Sequence, residues 1–322
     1  MKDANPSGMV NGMKVPSPRM EGLVTPVLPK PGWIRVRMPS GDTWKQVSLI
    51  LERYRLHTVC DEARCPNKGE CWGAGTATFM LMGDICTRSC RFCAVATGRE
   101  GHPLEQGEGE GIARAAEELG LRYVVLTSVD RDDLHDRGAG HFASCVGAIK
   151  DRLPGVKVEV LIPDYTEAEL SSLLRAAPDV IACNVETVRS LQWIRDRRAS
   201  FDKTLACLRA AKSGGAPVTK SSLILGFGEK QDEVLSAMDE LRAAGVDILV
   251  MGQYLRPTAK QLPVAEYLSP EQFEDYAEEG RRRGFSAVVS SPLARTSYHA
   301  LDTANIAFAP GGGTSGTGGN SA

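Results

Sequence analysis

The sequence has no long hydrophobic run, and no uninterrupted apolar stretch approaches the roughly 20 residues that a membrane-spanning helix needs. Its first residues, MKDANPSGMVNGMKVPSPRM, lack the apolar core of a secretory signal and the Arg-rich amphipathic pattern of an organelle presequence. An excess of positive charge is also missing, because 38 basic residues face 40 acidic ones, a net charge of −2. These absences argue against a membrane or a nucleic acid as partner and predict a cytoplasmic protein.

The composition is that of a folded protein. Hydrophobic residues make up 42% and charged residues 24% of the 322 residues, which excludes wholesale disorder. That length fits two domains, or one α/β barrel with additions. Residues 1–32 are rich in Pro, Gly and Met without periodicity and predict a flexible or wrapping extension, while the Gly-rich end from Gly311 predicts a disordered tail.

Between Thr76 and about Gly284, short apolar runs typical of strands alternate with helical patterns. The expected strands are Phe79–Met82, Tyr123–Thr127, Val156–Ile162, Val180–Ala182, Ser222–Leu225 and Ile248–Met251. Such alternation indicates a parallel sheet with helices outside it. Six units are fewer than the eight of a closed barrel, so we expect an α/β fold with a partial (β/α)₆ barrel. A flat, doubly wound sheet is the alternative.

The expected helix ends agree with this phasing. Thr166 with Glu169 is typical of a capping box, and Ser269-Pro270 places a cap before proline at the first helical position. Four glycines stand where helices should stop: Gly120, Gly155, Gly245 and Gly284.

Six of the nine cysteines fall between Cys60 and Cys93, and the other three lie in apolar surroundings, where we expect small buried residues: Cys145, Cys183 and Cys207. In a reducing compartment, clustered thiols favour metal or redox chemistry over disulfides. The later cluster, Cys86-Thr-Arg-Ser-Cys90-Arg-Phe-Cys93, has the spacing C-x₃-C-x₂-C and follows the first expected strand. Three thiolates on one loop can hold three irons of a [4Fe–4S] cube and leave the fourth open to a small molecule.

This motif resembles that of the radical S-adenosylmethionine (SAM) superfamily, including the aromatic Phe92 before its last cysteine. The resemblance implies that Cys86, Cys90 and Cys93 hold a cluster that transfers an electron to SAM, giving methionine and a 5′-deoxyadenosyl radical. A structural zinc site and an ordinary electron-transfer cluster are the alternatives, although structural zinc usually takes four protein ligands in paired spacings.

The earlier cluster has the spacing C-x₄-C-x₅-C and supplies three further thiolates, from Cys60, Cys65 and Cys71. Two sets of three cysteines are enough for two separate clusters. A zinc knuckle that braces the N-terminal segment is the alternative.

Around these cysteines the sequence resembles the lipoyl synthase family. The resemblance covers about Trp33 to Ala300, and its segments are His57–Asn67, Glu70–Trp72, Gly75–Met80, Tyr123–Leu134, Val185–Thr187, Gly252–Leu255 and Pro292–Ala300. Of these, the C-x₄-C-x₅-C spacing is the most specific. In the family, the serine before tyrosine in an R-S-S-Y motif is the fourth ligand of an auxiliary cluster. Here that motif reads Arg295-Thr296-Ser297-Tyr298, so the position corresponds to Ser297.

The resemblance implies a sulfurtransferase that inserts two sulfur atoms, at C6 and C8 of an octanoyl chain linked to a lysine of a lipoyl carrier protein. Two [4Fe–4S] clusters and SAM are the implied cofactors, and the auxiliary cluster is the implied sulfur donor. The implied partners are the octanoylated carrier, a low-potential donor of ferredoxin or flavodoxin type and an iron–sulfur carrier protein. Two alternatives stay open: a radical enzyme whose second cluster only transfers electrons, and a non-catalytic iron–sulfur or zinc module.

Polar side chains at the expected strand ends are candidates for SAM contacts. Ser128 and Asp130 follow the second strand and would bind the amine end of SAM, while Asn184 and Glu186 follow the fourth and would bind its ribose. Loop capping explains these residues equally well.

These expectations divide the chain into five segments. Residues 1–55 form an N-terminal extension, 56–75 the auxiliary-cluster segment and 76–285 the partial barrel. Residues 286–309 form a C-terminal segment that closes the auxiliary cluster, and 310–322 form the tail.

Overall fold

The computed structural model describes residues 28–36, 41–74, 77–298 and 300–308. The expected flexible start and Gly-rich tail lie almost entirely outside these ranges. The strands are β1 His57–Thr58, β2 Thr78–Leu81, β3 Ile85–Cys86, β4 Ala96–Thr97, β5 Tyr123–Ser128, β6 Lys157–Leu161, β7 Val180–Ala182, β8 Val218–Leu225, β9 Ile248–Gln253 and β10 Ala287–Ser291. The helices are α1 Asp42–Arg53, α2 Val59–Glu62, α3 Lys68–Gly73, α4 Glu108–Glu118, α5 Ala139–Arg152, α6 Glu167–Arg175, α7 Phe201–Ser213, α8 Gln231–Ala243, α9 Pro270–Arg282 and α10 Ala300–Phe308, with a 3₁₀ helix at Arg189–Ile194.

Eight strands form one sheet in the order β1-β2-β5-β6-β7-β8-β9-β10. All neighbours are parallel except β1, which runs antiparallel to β2. The parallel strands keep their sequence order, whereas a doubly wound sheet would reverse it at a switch point. Within the described residues β1 and β10 do not pair, so the sheet stays open, and the expectation of a partial barrel is confirmed.

The sheet contains one parallel strand more than the sequence pattern indicates. The six expected strands are present, and β10 pairs with β9 in the segment expected to close the auxiliary cluster. Most of β10 is only half buried, and its last two residues are serines, so its hydrophobic pattern is weak.

Small apolar side chains fill one end of the barrel. Val125, Val180, Val218 and Ile248 form a core with residues of the C-terminal helix α10, including Ala304. Helix α10 contacts β5, β8, β9 and β10. The chain therefore folds its own C-terminal helix against one end of the sheet.

Strand β8 begins at Val218, four residues before the run expected from the sequence. Its first residues include Lys220, a charged residue that is buried and breaks the apolar pattern. Lys220 donates hydrogen bonds to the Glu159 carboxylate at 3.0 and 3.1 Å, and Tyr123 donates to the same group at 2.7 Å. The Lys220 and Glu159 side chains are 1% and 0% exposed. A buried ion pair persists only when its charges are matched and hydrogen-bonded, and here three strands supply the partners.

Local signals at the helix ends are confirmed. Capping boxes form at Thr166 with Glu169 and at Ser269 with Gln272, and Pro270 opens α9. The four glycines expected to end helices all have positive φ.

No helix among the described residues is long and apolar enough to cross a membrane.

Candidate active site

The second half of the cysteine-rich region forms a loop at the carboxyl end of β2. The chain turns at Met82 and Gly83, and β3 then pairs in parallel with β4, which closes the loop at its base. Glu108 accepts a hydrogen bond from the Met82 backbone N–H at 3.1 Å and fixes the turn that starts the loop. This local framework places Cys86, Cys90 and Cys93 beside the sheet.

All three of these cysteines line one cavity of about 220 Å³. The same cavity is lined by each residue proposed from the sequence to contact SAM: Phe92, Ser128, Asp130, Asn184 and Glu186. The sequence-based candidates for this site are thus brought together from β3, the loop after it and the ends of β5 and β7.

Several polar atoms of this cavity lack partners within the protein. Among the described residues, Ser128 Oγ and Asn184 Oδ1 are buried without a hydrogen-bond partner, and Asp130 Oδ1 has only its ion pair with Arg88 at 3.3 Å. Burial raises the pKa of the Asp130 carboxyl to about 6, although the Arg88 guanidinium opposes this. A buried polar atom without a partner is costly. The cavity therefore fits a ligand that carries an amine and hydroxyl groups, as SAM does.

Arg88, between the first two cysteines of the loop, organises the acidic residues around the cavity. Its buried guanidinium lies 3.3 Å from Asp130, 2.9 Å from Asp132 and 2.8 Å from Asp164. The sequence pattern did not single out Arg88. A charged residue inside a buried cysteine loop, with three aspartates after later strands, is the signal that indicates such a network.

The upstream cysteines lie on two short helices and the turn between them. Cys60 is on α2, which Thr58 caps by accepting a hydrogen bond from the Asp61 N–H, and Cys71 is on α3. Cys65 lies between them. These three cysteines and Ser297 line a second cavity, of about 380 Å³. Val59 lines both cavities, so the two sites adjoin.

The three sulfur atoms of each set are too far apart to bind one metal ion together. Among the described residues, neither set has its three sulfurs within 4.8 Å of one another. Zinc–sulfur bonds of about 2.3 Å in a tetrahedron hold sulfurs about 3.8 Å apart. Ligands spread around a cavity suit the corners of an iron–sulfur cube better than one ion.

Burial disfavours the charged form of these thiols. It raises the pKa of Cys86 and Cys90 to about 12 and that of Cys60 to about 11. Burial also raises the pKa of Cys65 and of Cys93. Thiolate is the form that binds metal, so a metal held by either set would have to offset this cost of burying a charge.

The C-terminal segment closes the second cavity through contacts over a long sequence distance. Asn67 Nδ2 donates to the Leu293 carbonyl at 2.7 Å, and the Tyr298 hydroxyl donates to Glu70 at 2.8 Å. The segment packs directly on β9 at Gly252, where an added Cβ would overlap the Ala294 carbonyl oxygen. The backbone at Ala294 therefore lies so close to β9 that only glycine fits at position 252.

Two further residues of this segment have positions that the motif alone did not indicate. Thr296 Oγ1 accepts a hydrogen bond from Asn184 Nδ2 at 3.2 Å and so contacts a residue that lines the first cavity. The Arg295 guanidinium lines the second cavity and pairs with no carboxylate in the described part of the chain. Removal from water lowers the pKa of Arg295, and the nearby Cys65 opposes that shift.

The three remaining cysteines are buried, as expected. Cys145 and Cys207 lie in the core on α5 and α7, whereas Cys183 also borders the first cavity.

A sequence model of the Radical SAM superfamily matches residues 80–251. Lipoyl synthase of Anaeromyxobacter sp. (strain Fw109-5) is 53% identical over 277 residues, 85% of this chain and 94% of that protein. Lipoyl synthase of Marinobacter nauticus is 49% identical over 298 residues, 91% of this chain and 85% of that protein.

Solved structures show the same fold at low identity. The X-ray structure of the FeFe-hydrogenase maturase HydG from Carboxydothermus hydrogenoformans has a TM-score of 0.55 at 15% identity, covering 70% of this chain and 55% of that one. The match spans about half the length of that structure and of the crystal structure of Streptococcus suis SuiB. The curated relatives, in contrast, align over most of both lengths with about half of their residues identical, and this chain belongs to the lipoyl synthase family within the radical SAM superfamily.

Proposed function

We propose that this chain makes the lipoyl group by inserting two sulfur atoms, at C6 and C8 of an octanoyl chain on a carrier lysine, with each of its cavities holding one [4Fe–4S] cluster. Family membership supports the overall reaction and the octanoylated lipoyl carrier as substrate. The observation that carries the residue assignment is that two separate sets of three cysteines line two adjoining cavities.

In the first cavity, superfamily membership supports a [4Fe–4S] cluster and SAM. We assign Cys86, Cys90 and Cys93 to the cluster, and Ser128 Oγ, the Asp130 carboxyl and Asn184 Oδ1 to SAM. The Asp130 carboxylate would face the amine and Glu186 the ribose hydroxyls, while Phe92 covers the cavity. The bound groups supply a carbon radical, which an unactivated C–H bond requires because it offers no acidic proton to an acid–base pair.

In the second cavity, we assign Cys60, Cys65, Cys71 and Ser297 to an auxiliary cluster that donates sulfur. Three thiolates are soft ligands, whereas the serine oxygen is hard. Ser297 would therefore be the easiest ligand to lose when sulfur leaves.

The unpaired Arg295 would contribute positive charge beside this set of ligands. Its half-buried guanidinium has Cys65, rather than a carboxylate, as the neighbour that favours its charged form. Partly burying a charge without an ion-pair partner costs free energy, and deprotonated cysteines with a cluster would supply the missing negative charge.

The position of the cavities supports passage of one substrate chain between them. Val59 lines both, and the Asn184–Thr296 hydrogen bond joins the first cavity to the segment that carries Ser297. A carbon from which hydrogen has been removed in the first cavity would thus lie near the sulfur source in the second. In this proposal, segments 56–75 and 286–309 enclose the second cavity. A low-potential donor would supply the electrons, and an iron–sulfur carrier protein would rebuild the auxiliary cluster after it has lost sulfur.

Metal analysis of anaerobically prepared protein tests the two-cluster assignment. Two [4Fe–4S] clusters correspond to about eight irons per chain, and alanine at the upstream set should reduce this to about four. That variant carries substitutions at Cys60, Cys65 and Cys71. It should still cleave SAM to 5′-deoxyadenosine but form no thiolated product from an octanoyl-lysine peptide.

The matched control is Cys145→Ala, which removes a buried cysteine outside both cavities. It should keep about eight irons. Wild-type protein with iron for only one cluster, or lipoyl product from the triple variant, would contradict the assignment.

A further inference from the structure

The outer face of the cysteine loop is held by the 3₁₀ helix and the turn after it. The Arg91 N–H donates to the Ile194 carbonyl at 2.8 Å, and the Asp196 N–H donates to Cys90 Sγ at 3.3 Å. Ser89 and Arg91, on either side of Cys90, are exposed. This places Cys90 directly beneath a solvent-facing surface.

An exposed aromatic residue lies on this surface. Trp193 is 46% exposed, and the Arg91 guanidinium stacks over its ring at 5.0 Å. Trp and Arg are the side chains most enriched at protein–protein contacts that carry binding energy. A stacked pair also loses little side-chain freedom when a partner covers it.

Two further cations lie beside the pair, and within the described residues none of the three positive charges has an ion-pair partner. Arg91, Arg197 and Lys260 are exposed, and none forms an ion pair within the described ranges. Lys260 belongs to this surface because the next two residues bond to the loop: Gln261 Nε2 donates to the Cys93 carbonyl, and the Leu262 N–H to the Arg91 carbonyl. We call Arg91, Trp193, Arg197 and Lys260 the loop surface.

We propose that the loop surface is the docking site of a small acidic electron-transfer protein that delivers its electron through the Cys90 side of the loop. Unpaired cations predict an acidic partner, because complementary charge steers association and fixes orientation. Arg198, next to Arg197, is instead paired with Asp196. Electron entry beside a cluster ligand keeps the transfer distance short.

This inference rests on the proposed function, in which an external electron is required. One electron leaves the donor, which is oxidised. Together with one SAM and one hydrogen atom from the substrate carbon, it yields methionine and 5′-deoxyadenosine. The donor is the only reductant in this balance.

The test compares two reductants on the full-length, cluster-loaded protein: reduced flavodoxin, an acidic protein, and dithionite, a small ion. The variant Arg91→Gln/Arg197→Gln/Lys260→Gln should raise the KM for flavodoxin by about tenfold at low ionic strength. The difference should shrink to about twofold near 1 M salt, where charges more than a few ångströms apart are screened. The rate with dithionite should stay within about twofold of wild type.

Two further variants keep the outcome decisive. Arg175→Gln removes one exposed cation at the C-terminal end of α6, near the amino end of β7 and so at the end of the sheet opposite to the cysteine loop, and should leave the KM for flavodoxin unchanged. Trp193→Ala keeps every charge and should raise that KM by about threefold or more, with less salt dependence.

An unchanged KM for flavodoxin in the triple variant would overturn the proposal. An equal loss of rate with dithionite would also overturn it, because the defect would then lie in the cysteine loop itself. A raised KM for the octanoylated carrier with dithionite as reductant would overturn it as well, because the loop surface would then bind the substrate. Failure of wild-type protein to cleave SAM with either reductant would instead refute the proposed function.

Discussion

Gly252→Ala should separate sulfur insertion from SAM cleavage. A Cβ at this position lies well inside 3.0 Å of the Ala294 carbonyl oxygen and 2.9 Å from Arg295 Nη1. The oxygen is a backbone atom and has no rotamer to change, so the segment must retreat from β9 by about 1 Å. Ser297 lies three residues further along the same segment. Metal ligands tolerate errors of about 0.2 Å, so such a shift removes Ser297 from bonding distance.

The magnitudes follow from this geometry. Overpacking of this kind costs about 1–3 kcal/mol of unfolding free energy. Misplacing a metal ligand or its support typically lowers activity by about 10–100-fold. We therefore expect thiolated product from an octanoyl-lysine peptide to fall by that factor. The rate of 5′-deoxyadenosine formation should fall much less, because the segment reaches the residues assigned to SAM through the Thr296–Asn184 hydrogen bond, and Asn184 Nδ2 also donates to Glu186 at 3.2 Å.

Gly147→Ala is the matched control. It is the same substitution, in the interior of α5, where an added Cβ meets no atom within 4 Å. It should stabilise the protein by about 0.5–1 kcal/mol and leave both activities unchanged. If Gly252→Ala lowered both activities equally, or neither, the close approach at β9 would not be what positions Ser297.

Three further outcomes are expected. Ser297→Ala should leave 5′-deoxyadenosine formation measurable and impair sulfur insertion, so normal lipoyl formation would exclude Ser297 as a ligand. Cys90→Ala should abolish 5′-deoxyadenosine formation, and persistent cleavage of SAM by that variant would refute the assignment of the loop. Lys220→Met should cost about 3–5 kcal/mol in chemical denaturation, because it leaves the Glu159 carboxylate buried and unpaired. Adding Glu159→Gln should recover much of that loss, and no recovery would show that the charge is not the cause.

The sequence predicts most of the fold because its local signals agree with one another. Apolar runs, capping boxes and terminal glycines give six strands and the helix ends between them. Two features of the sheet could not be predicted from these local patterns, for physical reasons. Strand β10 has a weak apolar pattern because it is half buried at the edge of the sheet. The start of β8 is polar because Lys220 faces Glu159, and periodicity cannot reveal a charge that is buried together with its partner.

For the site, cysteine spacing indicates two sets of ligands, but spacing alone does not join the second set to Ser297. That step came from the family resemblance, and the shared cavity now supports it. Arg88 and Arg295 escaped notice because an arginine's role depends on which carboxylates or thiols surround it in three dimensions. No pattern along the chain carries that information.

The contacts Asn67–Leu293 and Tyr298–Glu70 join residues that are 226 and 228 positions apart. During synthesis, domains begin to fold from the N-terminus while the rest of the chain is still being made. The residues that line the first cavity end at Ala199, whereas those of the second run to Asp302. Ser297 is therefore synthesised about 100 residues after Ala199, so under the proposed assignment delivery of metal to the second cavity follows a later stage of synthesis than delivery to the first.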